Sequence, residues 1–132
     1  MFASANIEQA LDAALVGIYS NNGQQCLAGS RILLEASIAD DFISRFTKRA
    51  ARIRVGDPVL DTTDVGPLGS AQHLKRVLSY VDIAKEEGAS LLTGGKASGF
   101  GGDLAGGFFM QPTAVFAPSS KARVCREEIF GP

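Results

Sequence analysis

Apolar residues recur at three- and four-residue steps in three stretches of the chain, and each predicts an amphipathic helix. In the first, Ile7, Ala10, Leu11, Ala14, Leu15 and Ile18 form one stripe. Asn6 is a suitable N-cap there, with Gln9 at the capping-box position. Asn21-Asn22-Gly23 stops the helix, because Asn and Gly tolerate the left-handed conformation. Phe42, Phe46, Ala50 and Ile53 mark a second helix, opened by Ser37 with Asp40 three residues on and ended by Val55-Gly56-Asp57-Pro58. Leu74, Val77, Leu78, Val81 and Ala84 mark a third, capped by Ser70 and ended at Gly88. Between the helices, Arg31–Glu35, Ser90–Thr93 and Thr113–Phe116 read as short strands. The glycine-rich stretch from Gly94 to Gly107 reads as a surface hairpin or loop. It lacks the following helix that a phosphate-binding turn requires. Strands alternating with helices predict an α/β fold, a mostly parallel sheet flanked by helices.

Composition narrows the function classes. The chain has 132 residues, one domain's worth, with no internal repeat or boundary between 1 and 132. A formal net charge of −1 leaves no electrostatic footprint for nucleic acid or an anionic membrane. Two cysteines do not make a disulfide scaffold. No apolar run reaches the roughly 20 residues of a membrane helix, and no basic segment with an apolar stretch follows Met1. The expectation is a cytoplasmic protein with reduced thiols.

Cys26 carries the most chemical information. It lies between glycines, in Gly23-Gln24-Gln25-Cys26-Leu27-Ala28-Gly29, between a helix and a strand. Small neighbours let a substrate and main-chain N–H groups approach the sulfur. Local chemistry by itself favours the plainer reading, a buried cysteine acting as a small hydrophobe. Over Tyr19, Gly23, Gln24, Cys26, Leu27, Ala28, Gly29 and Ser30, however, the string resembles the active-site cysteine segment of the aldehyde dehydrogenase superfamily. The tail, Glu127-Glu128-Ile129-Phe130-Gly131-Pro132, independently resembles that family's Glu-Ile-Phe-Gly-Pro segment. Val55–Pro58, Val65–Leu68 and Pro112-Thr113 also look like family segments, so the resemblance covers nearly the whole chain. Ala28–Leu33 and Arg52–Pro58 look like the semialdehyde dehydrogenases of aromatic catabolism, the 5-carboxymethyl-2-hydroxymuconate type.

The resemblance implies an enzyme that oxidises an aldehyde to a carboxylic acid with NAD or NADP. Cys26 would be the nucleophile, passing through a thiohemiacetal and a thioester, and its own backbone N–H would form half of an oxyanion hole. Glu128 would accept hydrogen bonds from the nicotinamide ribose, and Phe130 would pack beside the nicotinamide. Read without the family, Glu127 and Glu128 are a solvated charge pair and Phe130 is core. The resemblance also implies a partial catalytic domain, without the cofactor-binding domain, the general-base glutamate or the asparagine amide of the oxyanion hole. Glu8 is the only glutamate before Cys26 and does not match that motif. An isolated chain of this kind is expected to be inactive, and the family's subunit pairing leads one to expect a homo-oligomer.

Other readings remain open at this level. A Cys26–His73 hydrolase would need the lone histidine beside the thiol, whereas Ala71-Gln72-His73-Leu74 reads as a surface position at a helix start. A Cys26–Cys125 redox pair and a non-catalytic interaction fragment are further alternatives. A metal site is not expected from two cysteines and one histidine without close spacing.

Overall fold

A computed structural model describes residues 1–117 and 119–132. Helix α1 (Ile7–Tyr19) starts at Asn6, whose side-chain oxygen accepts from the Gln9 N–H at 3.2 Å. Its buried residues, Leu11 and Tyr19, face Phe42, Phe46 and Ala50 of α2 (Ala36–Ala50). Tyr19 stacks on Phe46 and Phe46 on Phe42, with ring centroids 6.2 and 6.1 Å apart. On the solvent side, Glu8 and Asp12 pair with Arg45 and Arg49 across the two helices. These exposed pairs select the packing register more than they stabilise it.

The start of α2 differs from expectation. Ser37 lies inside the helix, and its hydroxyl donates to the Glu35 carboxylate at 2.8 Å instead of capping a helix N–H. The same carboxylate accepts from the Ala3 N–H at 2.8 Å. These two bonds hold it below the usual carboxylate range.

The strand expected over Arg31–Glu35 is extended but joins no ladder. Ile32 and Leu34 are half-buried against the α1–α2 core, while Arg31, Leu33 and Glu35 point to solvent. The alternation that suggests a strand is therefore real. Among the described residues, however, residues 31–35 meet another extended segment only at Met1, whose amino group donates to the Leu33 carbonyl and whose carbonyl accepts from the Glu35 N–H.

Helix α3 (Ala71–Glu86) is capped by Ser70, whose hydroxyl accepts from the His73 N–H at 3.1 Å. It buries Val77, Tyr80, Val81 and Ala84. A second core cluster gathers Leu68, Val77, Val81 and Met110, with Ile129 of the tail packed on it. Strand β1 (Ser90–Thr93) pairs antiparallel with β4 (Ala114–Phe116), Leu91 opposite Val115, with an irregularity before Thr93. Strands β2 (Ala97–Ser98) and β3 (Phe109–Met110) make an antiparallel hairpin across most of the glycine-rich stretch, as expected there. A one-turn helix, α4 (Arg123–Arg126), precedes the tail.

The α/β class stands, but the parallel pairing does not hold for the named strands: both ladders are antiparallel, and among the described residues the one parallel contact is the isolated Val55–Val65 bridge. Parallel strands need a long crossover between them. Here β1 and β4 are linked by a hairpin that carries a single 3-10 turn and no α-helix, and among the described residues the extended segment that precedes α2 finds no partner strand.

Candidate active site

The cysteine loop begins where α1 ends. Tyr19 is buried, and its hydroxyl donates to the Thr113 carbonyl at 3.2 Å. Burial pushes its phenol well up from the ordinary tyrosine value. Asn21, Asn22 and Gly23 follow with φ of 48°, 59° and 67°, three consecutive left-handed residues. The run reverses the chain, and side chains hold the reversal. The Asn22 carboxamide accepts from the Gly66 N–H and donates to the Pro67 carbonyl, both at 2.8 Å. Asn21 donates to the Gln24 carbonyl at 2.9 Å, and the Gln24 side-chain oxygen accepts from the Gly69 N–H at 3.1 Å. The loop between α2 and α3 is thus a template for the cysteine loop. On the far side, the Gly29 N–H donates to the Gly17 carbonyl at 2.8 Å. Between these anchors Cys26 is exposed, with a free thiol. Its backbone N–H has no acceptor among the described residues, the state required of an oxyanion donor.

The tail is held by one face of α3. Tyr80 donates from its hydroxyl to the Glu127 carboxylate at 2.9 Å, and Arg123 adds two bonds at 2.8 and 3.0 Å. These donors keep the Glu127 carboxyl below the usual range. Arg76 donates to the Glu128 carbonyl at 2.8 Å. The Glu128 carboxylate itself is exposed and has no hydrogen-bond or ion-pair partner among the described residues. Phe130 has φ 65°. For a bulky residue, such a conformation costs about 1–3 kcal/mol and persists only where its surroundings hold it. His73 Nε2 lies 2.6 Å from the Phe130 carbonyl oxygen, and the two rings meet edge to face at 6.1 Å.

The two segments touch at a pair of glycines. A Cβ on Gly23 would lie 2.2 Å from the Gly131 carbonyl oxygen, and one on Gly131 would lie 2.6 Å from Val77 Cγ1. This close approach brings Cys26, Glu128 and Phe130 onto one cleft of about 530 Å³, which Gln25, Gly29 and Pro132 also line. Residues about 100 positions apart in the chain therefore line a common space.

The remaining candidates are not brought to it. His73 does not line the cleft, and its Nε2 is engaged by Phe130. It is half-buried and bonded, which corrects the expectation of a surface position. Cys125 is half-buried on α4 outside the cleft lining, and both thiols are free. Among the described residues no cluster of His, Cys, Asp and Glu could hold a metal ion. Sequence reasoning missed the support that Asn22, His73, Tyr80 and Glu127 give to the two segments. The Asn-Asn-Gly run was legible as a helix stop, but not as a clamp on the loop after α2.

Comparison with known proteins agrees with the fold. The pattern of the aldehyde dehydrogenase family matches residues 1–132. A 5-carboxymethyl-2-hydroxymuconate semialdehyde dehydrogenase from Escherichia coli is 48% identical over all of this chain and 28% of its own length. The crystal structure of HpcC from Thermus thermophilus superposes with a TM-score of 0.94 at 44% identity, covering 100% of this chain and 26% of that one. A betaine aldehyde dehydrogenase from Staphylococcus aureus, solved in complex with NAD+, superposes with a TM-score of 0.94 at 40% identity, over 99% of this chain and 26% of the other. The chain thus spans just over a quarter of the length of these relatives. Its cysteine loop, its Glu-Ile-Phe-Gly-Pro tail and its fold all place it in the aldehyde dehydrogenase family.

Proposed function

We propose that this chain is a partial catalytic domain of an NAD(P)-dependent aldehyde dehydrogenase, with Cys26 as nucleophile and Glu128 and Phe130 at the nicotinamide end of the cofactor site. The observation that carries this reading is the shared cleft onto which Cys26, Glu128 and Phe130 all open. The Cys26 thiolate adds to the aldehyde carbon, and its unpaired backbone N–H is available to the oxyanion that forms. NAD or NADP, when bound, supplies the acceptor for the hydride that leaves this carbon. A thioester on Cys26 results, and water releases the acid and regenerates the thiolate. The free, exposed Glu128 carboxylate fits a ribose diol, since an ionised carboxylate is acceptor-only and needs donors. The contrast with Glu127, whose carboxylate is taken up by Tyr80 and Arg123, supports that assignment. A semialdehyde is the substrate class favoured by the similarity to the E. coli enzyme.

The isolated chain is proposed to be inactive. Among the described residues Glu128 is the only side-chain carboxylate lining the cleft, so no second acidic side chain is left over there to activate the hydrolytic water. No helix among the described residues is long and apolar enough to cross a membrane, and we place the protein in the cytoplasm as a homo-oligomer. Exposed Leu27 and Leu33, 94% and 82% accessible, support burial of this face in an assembly.

Peptide-mapped alkylation with iodoacetamide, with and without succinic semialdehyde, tests the nucleophile. The aldehyde is expected to slow labelling of Cys26 and leave Cys125 unchanged. Equal protection of both thiols, or of neither, would overturn the assignment. Steady NADH production by the pure chain, lost in Cys26→Ala, would overturn the inactivity.

A further inference from the structure

We propose that His73 is a positioning residue for the cofactor-facing tail, holding Phe130 in its left-handed conformation through a hydrogen bond from Nε2 to the Phe130 carbonyl. The inference deepens the proposed cofactor site and rests on that reading for its functional meaning. Three residues on one face of α3, at positions 73, 76 and 80, meet the tail in succession. Tyr80 grips the Glu127 carboxylate, Arg76 the Glu128 carbonyl and His73 the Phe130 carbonyl. The spacing of three and four residues puts them on a single helical stripe, so a rigid helix presents donors to tail residues 127, 128 and 130 in turn. The His73 contact is the shortest of the three, at 2.6 Å, and acts on the one residue of the tail whose backbone is strained, φ 65°. A phenylalanine does not stay left-handed unaided. The N-cap fixes His73 in turn: its own N–H is bonded to the Ser70 hydroxyl at 3.1 Å, which sets the start of α3.

Left-handed geometry at Phe130 decides where the ring and the preceding Glu128 carboxylate stand relative to the cleft. A histidine outside the cleft therefore sets two residues that line it. Donation needs only a proton on Nε2, which the imidazolium and one neutral tautomer both carry.

The test is NMR on the isotope-labelled 132-residue chain, for wild type, His73→Ala and His73→Gln. A through-hydrogen-bond coupling between His73 Nε2 and the Phe130 carbonyl carbon is expected in wild type. His73→Ala should shift the Phe130 carbonyl and Gly131 amide resonances, and His73→Gln, whose amide can donate to the same carbonyl, should restore them. Titration with nicotinamide mononucleotide, which carries only the end of the cofactor these residues would meet, should show about fivefold weaker binding in His73→Ala with rescue by Gln, the effect of one hydrogen bond. A thermal midpoint measured in parallel separates this from general destabilisation. Phe130 and Gly131 resonances unchanged in His73→Ala, or displaced equally in both variants in step with a lowered midpoint, would overturn the positioning role. Failure of the nucleotide to move Glu128 and Phe130 resonances in wild type would overturn the cofactor reading, while the ligand-free resonances still decide whether His73 holds Phe130.

Discussion

Gly23 is the point where the cysteine loop and the tail touch, and adding one methyl group there tests how tightly they are joined. In Gly23→Ala the new Cβ would meet the Gly131 carbonyl oxygen at 2.2 Å, its carbon at 2.5 Å and the Pro132 nitrogen at 3.0 Å. All three are backbone atoms, so no side chain can swing aside. The residue also sits at φ 67°, where a Cβ costs roughly 1–2 kcal/mol before any contact is counted. Overpacking against fixed neighbours adds about 1–3 kcal/mol. The tail cannot retreat freely, because Val77 stands behind Gly131 and the Pro132 carbonyl accepts from the Thr113 N–H at 3.3 Å. The expected destabilisation is therefore about 2–5 kcal/mol, a large share of the ~5–15 kcal/mol typical of a domain, with a midpoint lowered by on the order of 10 °C. Urea unfolding at constant slope is the assay. Gly99→Ala is the control: a Cβ there meets nothing within 4 Å, and a change within about 0.5 kcal/mol is expected. A Gly23→Ala chain as stable as the control would refute the close junction and, with it, the coupling of the two halves of the cleft.

Two further changes probe the scaffold. Asn22→Ala removes both bonds to the loop after α2 and leaves the Gly66 N–H and Pro67 carbonyl unpaired at a half-buried site; a loss of about 2 kcal/mol is expected in urea unfolding, whereas Asn22→Asp, which keeps the acceptor for Gly66, should lose less. Asp64 receives Arg54 through two side-chain bonds and a backbone N–H, which pull its carboxyl from 3.8 down to about 2. A folded value below the unfolded one means that its stabilisation is present above about pH 4 and is lost as the pH falls toward 2. Asp64→Asn should flatten the acid limb of the stability curve over that window, and an unchanged limb would show that the pair does not contribute.

Much of the local structure was legible from residue types. The stripes on α1, α2 and α3, the Asn6 and Ser70 caps, and the strands beginning near Ser90 and Thr113 depend on neighbours within a few positions, where periodicity and capping chemistry act. Cys26, Glu128 and Phe130 were legible as candidate site residues because the strings around them are distinctive, and the structure lines them along one cleft. The positions of the support residues were not. His73 looks like any polar residue in a first helical turn, and its significance lies in a carbonyl 57 positions away. Asn22 gives the same lesson: its chain-stopping role is local, and its two anchoring bonds reach 44 and 45 residues along the chain.

The pairing of strands belongs with these long-range properties. Residues 31–35 alternate as a strand should, because alternation is written into side-chain type and needs only one face against a core. Whether such a segment joins a ladder depends on another backbone lying alongside it, and the described residues supply only Met1. The antiparallel β1–β4 contact likewise depends on how the chain between them folds back. Helices and caps are thus encoded in short windows of sequence, since their energies come from near neighbours, and the strings that single out the candidate reactive groups are equally local. Strand partners, the Gly23–Gly131 junction and the grip of α3 on the tail exist only once distant segments meet, since each is a contact between groups that no short window contains.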